Sequence, residues 1–166
     1  MEREGKGEAG RRAAYATPPP TGENRLQRSP PAMKRLRTYV VEDSSVIRDN
    51  LQEALEENAP VEIVGAAEDE NAAVAWLSDP RNRCDLVIVD IFLKAGSGLG
   101  VLKRTTPLQA RTERIVLSNH ATAEMRAKCV ELGAAAVFDK SNEIDEMLGY
   151  VNRLAHAGAV ASLHPE

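Results

Sequence analysis

Apolar and polar positions divide the chain into two textures. Up to about residue 34 there is almost no Val, Ile or Leu, and "TPPPTGEN" and "RSPPAM" interrupt any periodicity. Such a stretch buries too little apolar surface to fold. From Arg37 onward, apolar runs alternate with amphipathic stretches. "TYVVED" reads as a β-branched strand ending in two acids. "SSVIRDNLQEALEEN" opens on a Ser N-cap and sets Ile47, Leu51, Ala54 and Leu55 on one helical face, closed by Asn58 and Pro60. "VEIVGAAED" gives a second strand, followed by a helix through Ala72, Ala73, Trp76 and Leu77 that stops at Pro80.

Asp85–Asp90 is the third strand, "SGLGVLKRT" a short helix ended by Pro107, and "RIVLS" the fourth strand. The next helix carries Met125, Cys129 and Leu132, with Gly133 as its stop. "AAAVFDK" is the fifth strand. A last helix follows with Ile144, Met147, Leu148, Val151, Leu154 and Ala155 in the helical period. Strands that are apolar throughout indicate a parallel sheet covered on both faces. Right-handed crossovers leave few topologies for five βα units. The fold class expected is α/β, a flavodoxin-like (βα)5 doubly wound parallel sheet of strand order 2-1-3-4-5. Its ligand crevice lies at the carboxyl ends of strands one and three, where the strand order reverses.

Composition adds boundaries to this picture. With 43% hydrophobic and 28% charged residues but only 4% aromatics, the core is one of Val, Leu, Ile and Ala. No apolar run is long enough for a membrane span, and no secretory h-region is present, so the expected location is cytoplasmic. Cys84 and Cys129 lack metal or redox spacing and read as free thiols. The net charge of −4 conceals an asymmetry. Residues 1–34 carry seven Lys/Arg against four Glu, a balance of +3 that leaves −7 for the rest. A basic leader can touch nucleic acid or an acidic membrane, but its composition favours a solvated leader, and neither partner is expected. The organisation expected is a leader at 1–34, a folded domain at 35–156 and a tail at 157–166.

The strand ends carry the chemistry. Strand one delivers Glu42 and Asp43, strand three Asp90, strand four Ser118 and strand five Lys140. Three carboxylates in one crevice repel one another unless a cation neutralises them. An all-oxygen set of this kind suits Mg²⁺. A hydroxyl and an ammonium opposite complete an anion site, and the whole matches phosphoryl transfer to a carboxylate nucleophile, Asp90.

At these residues the chain resembles the response-regulator receiver domain of two-component signalling, through "VVEDSSVIR", "DLVIVDIFLKAGSGLGVL", "IVLSNH" and "GAAAVFDKS". The resemblance implies that Asp90 accepts the phosphoryl group from a histidine kinase or phosphotransfer protein. It also implies that Asp43 and Asp90 ligate Mg²⁺ with the backbone carbonyl of Phe92, while Glu42 acts through water. Ser118 would bond a phosphoryl oxygen, and Lys140 would pair with the phosphate. Only about ten residues follow the last helix, so a single-domain receiver is expected, acting by protein contact or phosphate relay, with no direct DNA binding. The rival is a degenerate receiver serving as a phosphorylation-independent adaptor.

Three positions depart from the family pattern. Lys94 stands where a Pro is common, and Asn119 where a small residue is usual. Val137 occupies the position of the switch aromatic, while neighbouring Phe138 should face the sheet's other layer. Two decoys complete the reading. "AGSGLG" hints at dinucleotide binding but follows the third strand and lacks the full spacing. A dehalogenase-type phosphatase would want a second Asp two positions after Asp90, where Phe92 stands. His120 reads as an exposed loop residue.

Overall fold

The structure, a computed structural model, describes residues 34–108 and 110–161. The expected leader, up to residue 33, and the last five residues of the expected tail lie outside the described residues. The elements in chain order are β1 (Leu36–Val41), α1 (Ser45–Asn58), β2 (Val61–Ala67), α2 (Glu70–Ser78) and β3 (Leu86–Val89), then α3 (Gly98–Thr105), β4 (Glu113–Ser118), α4 (Ala123–Glu131), β5 (Ala136–Asp139) and α5 (Ile144–Ala161). The five strands form one sheet in the order β2-β1-β3-β4-β5. All of its pairings are parallel. This is the flavodoxin-like arrangement the alternating pattern predicts.

The strands read as continuous apolar runs because both faces are covered, and successive side chains alternate between the layers. On one face Val40, Ile88, Ile115 and Leu117 pack against Leu51 and Leu55 of α1 and Met147 and Val151 of α5. On the other, Tyr39, Val41, Val87 and Val89 meet Ala73 and Leu77 of α2 and Val101 of α3. Farther along that face, Val116 and Val137 meet Leu102 and Cys129. Burying each such aliphatic side chain contributes roughly 1.5–3 kcal/mol. Phe138 packs toward the α1–α5 layer, edge-on to Tyr150 at 5.7 Å, while Val137 lies in the opposite layer. The alternation expected at this pair is therefore the one observed.

Local chemistry starts the helices where the strands end. Ser44, Asp69, Ser97 and Thr122 are the N-caps of α1, α2, α3 and α4, each accepting an N–H from the first turn. Gly133 follows α4 at φ +107°, a left-handed conformation that terminates the helix as expected. Trp76 is half-buried and stacks on the ring of Tyr39 at 4.2 Å. Cys84 and Cys129 are buried free thiols, and burial pushes Cys84 up to about 11. Helix α5 runs from Ile144 to Ala161. Among the described residues, no helix is long and apolar enough to cross a membrane.

Candidate functional site

The parallel ladder continues one residue past β1, β3 and β5, and this fixes the backbone of the site. Glu42 N–H donates to the Ala67 carbonyl at 3.0 Å, Asp90 N–H to that of Val41 at 2.9 Å, and Lys140 N–H to that of Ser118 at 3.0 Å. Glu42, Asp43 and Asp90 thereby converge, each offering one carboxylate oxygen within 4.8 Å of the others. Lys140 reaches across from the end of β5. Its Nζ donates to Glu42 Oε2 at 2.6 Å and to Asp90 Oδ2 at 2.9 Å. These three side chains are only 10%, 3% and 11% exposed, so their charges act with little screening by water. Glu42 Oε1 also accepts the Ser44 N–H at 3.1 Å.

Burial pushes the Glu42 carboxyl above its ordinary range, and the hydrogen bonds from Lys140 and Ser44 only partly oppose it. The Lys140 ammonium is shared between Glu42 and Asp90. Burial alone would lower Lys140, but hydrogen bonds to Glu42 and Asp90 raise it. The ammonium therefore stays charged between two acids. Three carboxylates beside one ammonium would, with all of them ionised, leave a deficit of two positive charges. An oxygen-only donor set with that deficit fits a hard divalent cation such as Mg²⁺.

Ser118 ends β4 fully buried, and its Oγ accepts the His120 N–H at 3.1 Å. Phe92 lies in the loop just past Asp90, its own N–H directed at Asp90 Oδ1 at 3.4 Å. Its side chain is 54% exposed and meets the exposed His120 ring edge-on, with centroids 4.9 Å apart. Glu42, Asp43, Asp90 and Lys140 thus form one contiguous cluster, with Ser118 and Phe92 closing the ends of the flanking elements.

Several partners of the site were not apparent from sequence. Arg48 of α1 donates to the Glu42 carbonyl at 3.1 Å, bracing the strand end from outside. Lys94, at the position of the common Pro, pairs with Glu68 at 3.1 Å. Glu70 explains the glycine-rich stretch. Its Oε2 accepts the Ser97 N–H at 2.9 Å and its Oε1 meets Arg104 at 3.2 Å, so an internal carboxylate takes the position a bound phosphate would want. Gly96 turns there at φ +74°, and a Cβ on Gly98 would overlap the Asp90 carbonyl. The glycines serve close packing around Asp90 and Glu70. An acid in the first turn of a helix was the only signal for Glu70, and it reads equally well as a simple dipole charge.

Known proteins share this architecture. The chain matches the family described as response regulator receiver domain over residues 38–152. Among curated proteins it is 24% identical to the Fimbriae Z protein of Salmonella typhimurium, over 74% of this chain and 57% of that protein. It is 29% identical to a protein-glutamate methylesterase/protein-glutamine glutaminase of Azospirillum brasilense, over 69% of this chain and 29% of that protein. The match thus spans well under two thirds of either relative. A CheY-like receiver domain protein from Methanospirillum hungatei superposes with a TM-score of 0.65 at 21% identity, covering 74% of this chain and 95% of that one. The receiver domain of the putative regulator NarL from Mycobacterium tuberculosis gives a TM-score of 0.62 at 23% identity, with 74% and 97% covered. With its fold, its strand-end acids and the matched length taken together, the chain belongs to the response regulator receiver-domain family.

Proposed function

We propose that the chain is a response-regulator receiver whose Asp90 accepts a phosphoryl group, with Mg²⁺, from the phosphohistidine of a kinase or phosphotransfer protein. The observation that carries this reading is the contact of Asp90 with Lys140 beside Glu42 and Asp43, in a crevice at the carboxyl edge of the sheet. Asp43, Asp90 and the Phe92 carbonyl would hold Mg²⁺, with Glu42 acting through water; when bound, the ion neutralises charge on the phosphoryl oxygens. An Asp90 carboxylate oxygen attacks phosphorus, the P–N bond breaks, and its electron pair leaves with the donor imidazole. Lys140 orients Asp90 beforehand and then pairs with the transferred group. The Ser118 hydroxyl, buried at the end of β4, donates to a phosphoryl oxygen. Output runs in the cytoplasm through protein contacts, or by passing phosphate on.

Incubation of the chain with acetyl phosphate and Mg²⁺ tests this. Mass spectrometry should find an adduct of about 80 Da, one phosphoryl group, on the wild type and none on Asp90→Ala. An equal adduct on Asp90→Ala would reject the assignment of the acceptor. No adduct on the wild type would leave the phosphorylation-independent adaptor as the function.

A further inference from the structure

One guanidinium on α4 ties together the segments that carry Ser118 and Lys140. Arg126 Nε donates to the Ala121 carbonyl at 3.0 Å, in the loop after β4. Its Nη1 donates to the Val137 carbonyl of β5 at 2.7 Å, and its Nη2 meets Glu143 Oε2, just ahead of α5, at 2.9 Å. The same carboxylate oxygen accepts the Asp139 N–H at 2.6 Å. Strand β5 is the edge of the sheet, where carbonyls have no further strand to pair with, and Arg126 occupies one of them. The side chains of Arg126 and Glu143 are 36% and 29% exposed, so the fork lies at the surface and outside the core.

Each anchor of this fork is close in sequence to a group at the site. Ala121 is three residues beyond Ser118, whose Oγ is already held by the loop through His120 N–H. Val137 and Asp139 lead directly into Lys140, whose N–H is bonded to the Ser118 carbonyl. At position 137 there is no aromatic ring to rotate, and the valine is 8% exposed in a packed cluster. A planar fork with fixed donor directions responds to displacement of any one acceptor. We infer that Arg126 is a positioning residue that couples occupancy of Asp90 to the surface formed by α4, β5 and α5, through its bonds to Ala121, Val137 and Glu143. Movement of Ser118 toward a phosphorylated Asp90 pulls on the Ala121 carbonyl and relaxes the bonds to Val137 and Glu143.

This rests on the reading of Asp90 as phosphoacceptor, and the experiment separates the two. The full chain is compared with Arg126→Gln, Arg126→Lys and Glu143→Gln by amide hydrogen exchange and by NMR, before and after acetyl phosphate and Mg²⁺. Adduct formation is followed in parallel by mass. Arg126→Gln should still form the adduct, because Arg126 does not touch Asp90. Before phosphorylation its amides at 119–121 should exchange about fivefold faster, the lower end of typical coupling strengths. Its phosphorylation-dependent shifts at Val137 and Glu143 should be largely lost. Glu143→Gln, which keeps a neutral acceptor, should show the same losses in weaker form. Arg126→Lys keeps the charge but not the fork and should resemble Arg126→Gln. Unchanged exchange at 119–121, wild-type shifts in Arg126→Gln, or full coupling in Arg126→Lys would each overturn the proposal while leaving Asp90 as acceptor. Absence of the adduct from the wild type would overturn both. Should Arg126→Gln fail to fold, Glu143→Gln decides: unaltered shifts at Val137 there overturn the proposal.

Discussion

Lys140 is a single ammonium shared by two acids, and Glu42 is the acid that burial disfavours. Because the folded-state pKa of Glu42 is raised above 4.5, its contribution to stability is fully present below that pH. It is lost as pH rises through the higher folded value. In urea unfolding without Mg²⁺ between about pH 4 and pH 7, wild type should therefore lose stability relative to Glu42→Gln as pH rises. A difference that grows in favour of wild type would contradict the buried-acid reading. Phe92 and His120 meet in a T-shaped contact in the loops after β3 and β4, where an apolar ring would hinder water that attacks an acyl phosphate. Phe92→Asn should therefore speed loss of the phosphoryl group, measured as decay of the mass adduct; a slower or equal decay would count against the aromatic gate. At this scale the strand-end residues were legible because each closes an apolar run. Arg126 and Glu70 were not, because their partners lie 17, 27 and 34 positions away on other elements. A polar residue on a helix carries no mark of which distant group it will meet.

Elements were easier to read than their joints. Hydrophobic period located the strands and helices of the described residues, and Gly133 marked the end of α4, because these signals are local. The glycine-rich stretch before α3 was ambiguous, since the same glycines serve a phosphate loop or close packing. Here they serve packing. Gly98→Ala would drive its Cβ into the Asp90 carbonyl. We expect a loss of stability of roughly 1–3 kcal/mol, typical of overpacking, together with slower adduct formation because the acceptor's own backbone must shift. An unchanged rate of adduct formation would show that the Asp90 backbone tolerates the displacement. Strand β5 makes a parallel point. Val137 fills a closed cluster with Val116 and Cys129, so Val137→Tyr should lower the urea midpoint by a similar overpacking cost. A midpoint equal to wild type would mean that the ring finds room outside.

For the whole molecule, uninterrupted βα alternation, apolar strands and right-handed crossovers leave few topologies, and the order expected among them, β2-β1-β3-β4-β5, is the one observed. That order alone carries acids from β1 and β3 into one crevice, which is why the site was legible once the fold was. Mg²⁺ should raise the melting temperature of the chain, since a ligand that binds only the folded state adds about 2.7 kcal/mol at a hundred times its Kd. Asp43→Ala should abolish most of that rise, as followed by thermal unfolding with and without the ion; an equal rise would place the ion elsewhere. Glu70 has a consequence of another kind. It joins the start of α2 to the start of α3 and to Arg104, pinning the segment behind Asp90 to two helices. The opposite half carries the surface fork of Arg126, which ties the loop after β4 to β5 and to Glu143. A displacement that begins at the seam would then be taken up on the side of the fork and not on the side pinned by Glu70.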